Sequence, residues 1–249
     1  MSEAKIANLE DFFREVPIQE EVTVELPSRG LLYKFTDGSN KLRIRPLSLG
    51  DEKAIATNKT LSVAETMTEL LGRVMLNLIP QDLLLMDKLA VILKVREISV
   101  SPKYVTVGIC THCTSENTLN FPLDQLPLNQ VPDDFSLPVR VELPICGTKG
   151  MDAHIILPRL SDEQYVSDAE TAFDNIYRFV ENIGEVDSKP LIREILDSDK
   201  FPYADAIAIT KAMYGVEYGV QTDVKYECAA CKGVNTAVLQ INDDFFTGN

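Results

Sequence analysis

Two C-x-x-C motifs, one at Cys110 and Cys113 and one at Cys228 and Cys231, constrain this chain more than any other feature of its sequence. Each motif lies between two strand-like runs, so each is predicted to form the turn of a β-hairpin. Two such turns supply the four thiolates of a tetrahedral zinc site. More than a hundred residues separate the motifs, whereas common zinc ribbons place about 15–20 residues there. We therefore predict one structural Zn²⁺, held by these four cysteines, that joins distant parts of the chain.

The two halves of the chain share further matches at a nearly constant spacing. Asp87 lies 23 residues before Cys110, and Asp205 lies 23 residues before Cys228. An Asn-Thr pair begins at residue 117 and again at residue 235, and Val-Glu-Leu-Pro begins at residue 24 and again at residue 141. Matched positions are 117 or 118 residues apart, and several agreeing registers make chance matching of short strings the weaker explanation. The pattern predicts an internal duplication in which each half ends in one knuckle hairpin.

The duplication also predicts how the chain is divided. At 249 residues the chain has room for one large domain or two small ones. We predict an α+β fold with two pseudo-repeated lobes of short strands and helices, joined by the shared four-cysteine zinc site. The lobes are assigned to residues 20–123 and 137–249, with a proline-punctuated linker at 124–136 and an N-terminal arm at 1–19.

Hydrophobic spacing predicts most of the local structure. Alternation predicts strands near residues 21–26 and 41–46 and again near 137–143 and 153–158. Apolar residues at helical spacing predict helices over 61–79, 81–98, 188–198 and 202–214.

Two capping-box signatures add helix starts. Ser48 with Asp51 is one, and Ser161 with Gln164 is the other. The second opens a helix whose apolar face is Val166, Ala169, Phe173, Ile176, Tyr177 and Val180. The acidic pair Asp51-Glu52 is interpreted as helix-end electrostatics, which is the commoner role of such a pair, and not as a catalytic dyad.

Charge and cysteine content restrict the partners and the compartment. The net charge is −14, and the longest basic grouping is only Lys41, Arg43 and Arg45, so binding to nucleic-acid phosphates is not expected. The chain contains no run of about 18 apolar residues, and its N-terminus lacks a signal-peptide core. These features predict a cytoplasmic protein with no membrane span. Five cysteines in that reducing compartment favour metal-bound thiolates over disulfides, and Cys146, outside both motifs, is interpreted as a buried thiol.

Aromatic side chains at both ends of the chain are candidates for binding a protein partner. The N-terminal residues fall at near-helical spacing, so this segment is expected either to pack on the body as a short helix or to dock on a neighbouring protein. The C-terminal aromatics are expected either to cover the core or to contact a partner. The candidate residues are Leu9, Phe12, Phe13, Phe245 and Phe246.

No sequence pattern indicates catalysis or a small-molecule substrate. The chain lacks a Walker loop, a G-x-G-x-x-G fingerprint and a G-x-S-x-G elbow. Its only histidines are His112 and His154, and His112 is expected in a solvated loop, with a contact to the metal as the alternative. Redox dithiols are a further alternative for the cysteine pairs, but such motifs typically occur once, at a helix N-terminus.

Several segments together resemble a known family. They are the P-S-R-G-L-L-Y loop, the L-R-I-R-P-L-S-L-G-D-E-K segment, the apolar helix leading into Y-V-T-V-G-I-C-T-H-C, and the second C-A-A-C turn. Over most of its length the chain resembles the T4-type baseplate proteins of contractile-tailed bacteriophages, which include hub components and hub-assembly factors.

This resemblance implies a non-enzymatic protein that contacts other baseplate and tail proteins and acts in the host cytoplasm during assembly. It leaves open whether the protein stays in the virion tail baseplate. A zinc-binding, nucleic-acid-associated protein of replication or transcription is the alternative function, and a dithiol oxidoreductase is a third.

Overall fold

The computed structural model describes residues 20–57, 63–215, 217–239, 241 and 243–246. Helices and small antiparallel sheets alternate along these residues, which confirms the α+β class. The helices are α1 (Leu49–Thr57), α2 (Val63–Val74), α3 (Leu85–Ser99), α4 (Ala169–Asn175), α5 (Lys189–Leu196) and α6 (Tyr203–Met213). None of the helices in this part of the chain is long and apolar enough to cross a membrane.

Every sheet in the described part of the chain is small and antiparallel. Four sheets are strand pairs, formed by β1 (Val22–Val24) with β2 (Leu42–Ile44), β3 (Lys103–Ile109) with β4 (Glu116–Pro122), β5 (Leu128–Asn129) with β9 (Gly219–Val220), and β10 (Asp223–Glu227) with β11 (Val234–Val238). The fifth sheet is three-stranded, with β6 (Val139–Glu142), β7 (Asp152–Ile155) and β8 (Val180–Ile183) in that order. Two-stranded ribbons have little stability alone, so contacts with other parts of the chain must hold them.

Helix α2 ends before the predicted residue 79, and its predicted first residues, 61–62, lie outside the described part of the chain. After Val74 the backbone leaves the helix and pairs with the neighbouring strand β2. Arg45 N donates to Val74 O at 3.0 Å, and Leu76 N donates to Arg43 O at 3.0 Å. Val74 O and Leu76 N, which would continue the helix, therefore pair with the backbone in and next to β2. The apolar spacing within one segment does not reveal such a contact with another segment.

The helix predicted after Ser161 forms only in part, because Ala169–Asn175 is helical whereas Val166 precedes the helix and Val180 lies in β8. The Ser161–Gln164 capping box does not form; instead Asp162 Oδ2 accepts a hydrogen bond from Arg159 N at 3.0 Å and opens a 3₁₀ turn over Leu160–Tyr165. Helix α4 starts afresh when Asp168 Oδ1 accepts from Thr171 N at 2.9 Å. An aspartate is a strong N-cap, so it interrupts the apolar pattern that predicted one continuous helix.

The capping box at Ser48 and Asp51 is confirmed. Asp51 Oδ2 accepts from Ser48 N at 2.8 Å, and Ser48 Oγ accepts from Asp51 N at 3.2 Å. Both terminal nitrogens of Arg45 also donate hydrogen bonds to the Asp51 carboxylate, at 2.7 and 2.9 Å. The Arg45 guanidinium, helped by Ser48 and opposed by burial, holds the pKa of Asp51 well below its usual range.

This depressed pKa gives a pH-dependent prediction. Asp51→Asn is expected to lower the free energy of unfolding by about 1–3 kcal/mol at about pH 7, because charge-assisted hydrogen bonds are lost. A depressed carboxyl pKa contributes stability above its unfolded value of about 3.9, and that stability is lost as pH falls towards the folded value. Urea unfolding at about pH 7 and about pH 3 should therefore show a smaller difference at the lower pH. Exposed Glu52 supplies the control, Glu52→Gln, and a pH-independent loss in Asp51→Asn would contradict the linkage.

Among the residues that the structure describes, two hydrophobic clusters form the core. The first combines β1, β2, α2, α3 and β4 with Leu239 and Phe245 from the end of the chain. The second combines the three-stranded sheet with α4, α5 and α6, and it also takes Leu84. The clusters therefore follow the two halves of the sequence only in part, because the last strands pack on the first half.

The predicted linker at residues 124–136 packs against both halves. Strand β5 within it pairs with β9, and Val131, which is 1% exposed, donates its N–H to Pro27 O at 2.9 Å. The segment therefore contributes backbone pairing and a buried side chain to the fold. The division into two lobes at this segment stays a prediction.

Candidate metal centre

Two hairpins carry the cysteines to a common point. The C-x-x-C turns connect β3 to β4 and β10 to β11, and both have the same backbone path. Cys110 N donates to Ser115 O and Cys228 N donates to Gly233 O, both at 3.0 Å. Each turn then passes through a left-handed residue, Thr114 with φ 61° and Lys232 with φ 64°.

The structure brings together all four predicted ligands. Their four Sγ atoms lie within 4.8 Å of one another, with Cys110 to Cys231 at 3.7 Å and Cys113 to Cys228 at 3.6 Å. Four sulfurs about 2.3 Å from one central zinc lie about 3.8 Å apart, whereas a disulfide requires about 2.05 Å. The donor set and spacing therefore fit a tetrahedral, thiol-ligated metal ion such as Zn²⁺.

Charge in the cluster also fits a cation. Backbone N–H groups of Cys231 and Ala230 lower the pKa of Cys228 to about 6, against the opposing effect of burial. The pKa of Cys231 is about 12 because the three other sulfurs and burial outweigh the backbone N–H of Gly233. Four close thiols do not all ionise by themselves, since each thiolate disfavours the next. A bound cation removes that conflict, as metal coordination stabilises thiolates.

Two buried asparagines contact the sulfurs from outside the predicted ligand set. Asn235 Nδ2 lies 3.4 Å from Cys110 Sγ, and Asn117 Nδ2 lies 3.6 Å from Cys228 Sγ. Sequence reasoning used both residues only as markers of the repeat. The signal that identifies them was their fixed position seven residues after the first cysteine of each motif.

His112 lies at the edge of the centre, outside the group of four sulfurs. Its side chain is exposed, and its Nε2 lies 3.3 Å from Val234 O on the second hairpin. The ring covers Gly233 so closely that a Cβ there would lie 2.5 Å from His112 Cδ2. His112 therefore packs one turn against the other, as an exposed loop residue, and Gly233 makes that approach sterically possible.

The hairpins also pack directly on each other behind the sulfurs. Tyr226 Oη donates to Ile109 O at 3.3 Å. Gly108 lies next to this contact. A Cβ at that position would lie 2.6 Å from Leu119 Cδ1 and 3.2 Å from Tyr226 Oη. A glycine in the middle of a strand often marks such a close approach.

The remaining cysteine, Cys146, lies outside this group of four. Burial, followed by contact with Asp205, raises the pKa of its thiol to about 11. Cys146 therefore stays protonated at neutral pH, but its side chain is only half-buried, whereas the sequence predicted a buried thiol.

Of the predicted partner-binding residues, Leu9, Phe12 and Phe13 lie outside the described residues. Phe245 is fully buried in this chain, with its ring centroid 5.0 Å from that of Tyr104. Its carbonyl oxygen accepts a hydrogen bond from Arg96 Nε at 2.5 Å. Of the two roles expected for the C-terminal aromatic residues, covering the core describes Phe245, whose side chain completes the first hydrophobic cluster; Phe246 is partly buried beside it.

Comparison with known proteins identifies a family to which the chain is similar. The family model described as T4 bacteriophage base plate protein matches residues 20–247. No curated protein and no solved structure matches the chain. The matched segment covers most of the chain and contains both cysteine hairpins.

Proposed function

Because this chain belongs to the T4 bacteriophage base plate protein family, we propose that it is a non-enzymatic structural or assembly protein of a contractile phage tail baseplate. Its partners are other baseplate and tail proteins, and it works in the hub region. The observation that carries this proposal is the match over residues 20–247. Assembly takes place in the host cytoplasm, before or as the protein enters the tail.

A structural zinc ion is the second part of the proposal. The ion is held by Cys110, Cys113, Cys228 and Cys231, whose sulfurs have the separations of a tetrahedral site. When bound, Zn²⁺ supplies four strong bonds between hairpins that are far apart in sequence. With four protein ligands and no open position, such a site organises a fold and does not catalyse a reaction.

An internal duplication is the third part, and matched contacts support it. Asp87 accepts from Ser28 N at 2.8 Å, and Asp205 accepts from Ile145 N at 2.7 Å. Both aspartates are fully buried, and each fixes the loop that follows a Leu-Pro pair in its own half. Equivalent residues at equivalent spacing thus perform the same contact, as expected if the two lobes descend from one ancestral unit.

The alternative function, a zinc protein of replication or transcription, is not favoured. The net charge of −14 opposes contact with phosphate backbones. Two of the few clustered basic residues are already paired, Arg43 with Glu21 and Asp37, and Arg45 with Asp51.

Removing this chain from infected cells tests the function. Baseplate intermediates separated by sedimentation are expected to lack a completed hub when the chain is absent and to regain it when the chain is supplied. Baseplates of normal composition formed without the chain would overturn the proposal. Cryo-electron microscopy of intermediates and of finished tails then separates a resident component from a factor that leaves.

We predict that residues 1–16 contribute the main partner contact, because Leu9, Phe12 and Phe13 fall at near-helical spacing and aromatic residues are enriched at interface hot spots. Deleting the segment is expected to leave zinc content and melting temperature nearly unchanged and to impair incorporation into baseplate intermediates. The triple change Leu9→Ala, Phe12→Ala, Phe13→Ala should reproduce the defect. A charged-residue control, Glu10→Ala with Arg14→Ala, should not. Unfolding of the deletion variant, or normal incorporation, would contradict this prediction.

A further inference from the structure

Asn117 and Asn235 each reach across from their own hairpin to the other one. Asn235 Oδ1 accepts from Thr111 N at 2.9 Å, and its Nδ2 lies 3.4 Å from Cys110 Sγ. In the opposite direction, Asn117 Oδ1 accepts from Ala229 N at 2.9 Å, and its Nδ2 lies 3.6 Å from Cys228 Sγ. Each amide thus holds the first cysteine of the opposite motif together with the residue that follows it.

The orientation of both amides is fixed by chemistry. A backbone N–H only donates, so Oδ1 must face it and Nδ2 must face the sulfur. The second amide hydrogen is used within the same hairpin, by Asn117 to Ser115 O at 3.0 Å and by Asn235 to Gly233 O at 2.9 Å. Both side chains are more than nine-tenths buried, and a buried amide without these partners would lose stability.

We propose that Asn117 and Asn235 are reciprocal positioning residues that lock the two hairpins together and set the four sulfurs in place before a metal ion binds. The metal-binding half of this inference rests on the proposed zinc site. The other half, that the two asparagines hold the hairpins together, does not depend on zinc, because these hydrogen bonds join protein groups only. Hydrogen bonds from groups around the ligands typically change metal affinity by about 10–100-fold.

Amide hydrogen exchange of chelator-treated, metal-free protein tests the locking half. In the wild type, the N–H groups of Thr111 and Ala229 are expected to be protected. Asn235→Ala should release the Thr111 N–H on the opposite hairpin and leave Ala229 protected, and Asn117→Ala should do the reverse. Asn120→Ala, at an exposed position of the same strand as Asn117, should change neither.

An isosteric substitution separates the hydrogen bond that joins the hairpins from the contact with the sulfur. It also keeps the test possible if the alanine variants fail to fold. In Asn117→Asp a carboxylate oxygen still accepts from Ala229 N, while the amide nitrogen that donates to Cys228 Sγ and to Ser115 O is replaced by a negatively charged oxygen. Protection of Ala229 is expected to persist, and zinc affinity, measured by competition with a chromophoric chelator, is expected to fall about 10–100-fold. Asn120→Asp adds the same charge at the exposed position and should bind zinc like the wild type.

The outcomes distinguish the inference from the proposed function. Free exchange of both amides in the metal-free wild type, or release on the same hairpin as the substitution, overturns the reciprocal lock. Equal zinc affinity in Asn117→Asp and Asn120→Asp overturns the positioning role. A wild type that binds no zinc but shows the crosswise exchange pattern leaves the lock standing and rejects the zinc site.

Discussion

Replacing Cys228 with serine is expected to abolish stoichiometric zinc binding and to cause the largest loss of stability of any single change at the centre. The wild type should contain one zinc per chain when purified under reducing, chelator-free conditions. Structural zinc contributes on the order of 10 kcal/mol of apparent folding free energy in small peptides. The loss here should be smaller, because two hydrophobic clusters stabilise the chain independently of the metal.

Elemental analysis and thermal unfolding measure both effects. Cys146→Ser is the matched control, since Cys146 lies outside the group of four sulfurs, and it should keep the full zinc content. Well under one zinc per wild-type chain would reject the site. An unchanged zinc content and melting temperature in Cys228→Ser would show that Cys228 is not a ligand.

Phe245→Ala is expected to reduce the free energy of unfolding by about 3–5 kcal/mol, the usual range for removing a buried phenylalanine. The side chain is fully buried, and its ring packs on Tyr104 and near the Arg96 guanidinium, 5.8 Å from the ring centre. Removal leaves a cavity at the point where the end of the chain joins the first cluster. Zinc content should be unchanged, because Phe245 lies outside the metal centre.

Urea unfolding of Phe245→Ala and Phe246→Ala provides the comparison. Phe246 is only partly buried, so its substitution should be clearly less destabilising. If Phe245→Ala unfolded like the wild type and failed only in binding to baseplate intermediates, Phe245 would be a partner contact and not a core residue.

Local sequence patterns predicted the elements whose structure depends on local contacts. The hairpins around the cysteines follow from alternation on both sides of a C-x-x-C turn, and α5 and α6 lie where their apolar spacing placed them. The capping box of α1 was equally readable, because Ser48 and Asp51 are three residues apart.

Predictions failed where a distant or unexpected partner decided the structure. Helix α2 stops at Val74 because β2 takes its backbone hydrogen bonds. The sequence left two roles open for Phe245, and only its contacts with the distant Arg96 and Tyr104 place it in the core. The roles of Asn117 and Asn235 depend on contacts with the opposite hairpin, more than a hundred residues away in sequence. The position of these asparagines in the repeat was visible, but their partners were not.

The return of the chain's end to the first cluster has a consequence for synthesis on the ribosome. Leu239 and Phe245 fill a core that begins with Val24, so this core cannot close until residues that follow Val24 by more than two hundred positions have been synthesised. Contacts of such long sequence separation slow folding. A chain that terminates early lacks both the apolar side chains that close this core and the second cysteine pair. Synthesis through Phe245 is thus a condition for closing this core and for bringing the four cysteines together, and chains that end before this point are left open to proteolysis.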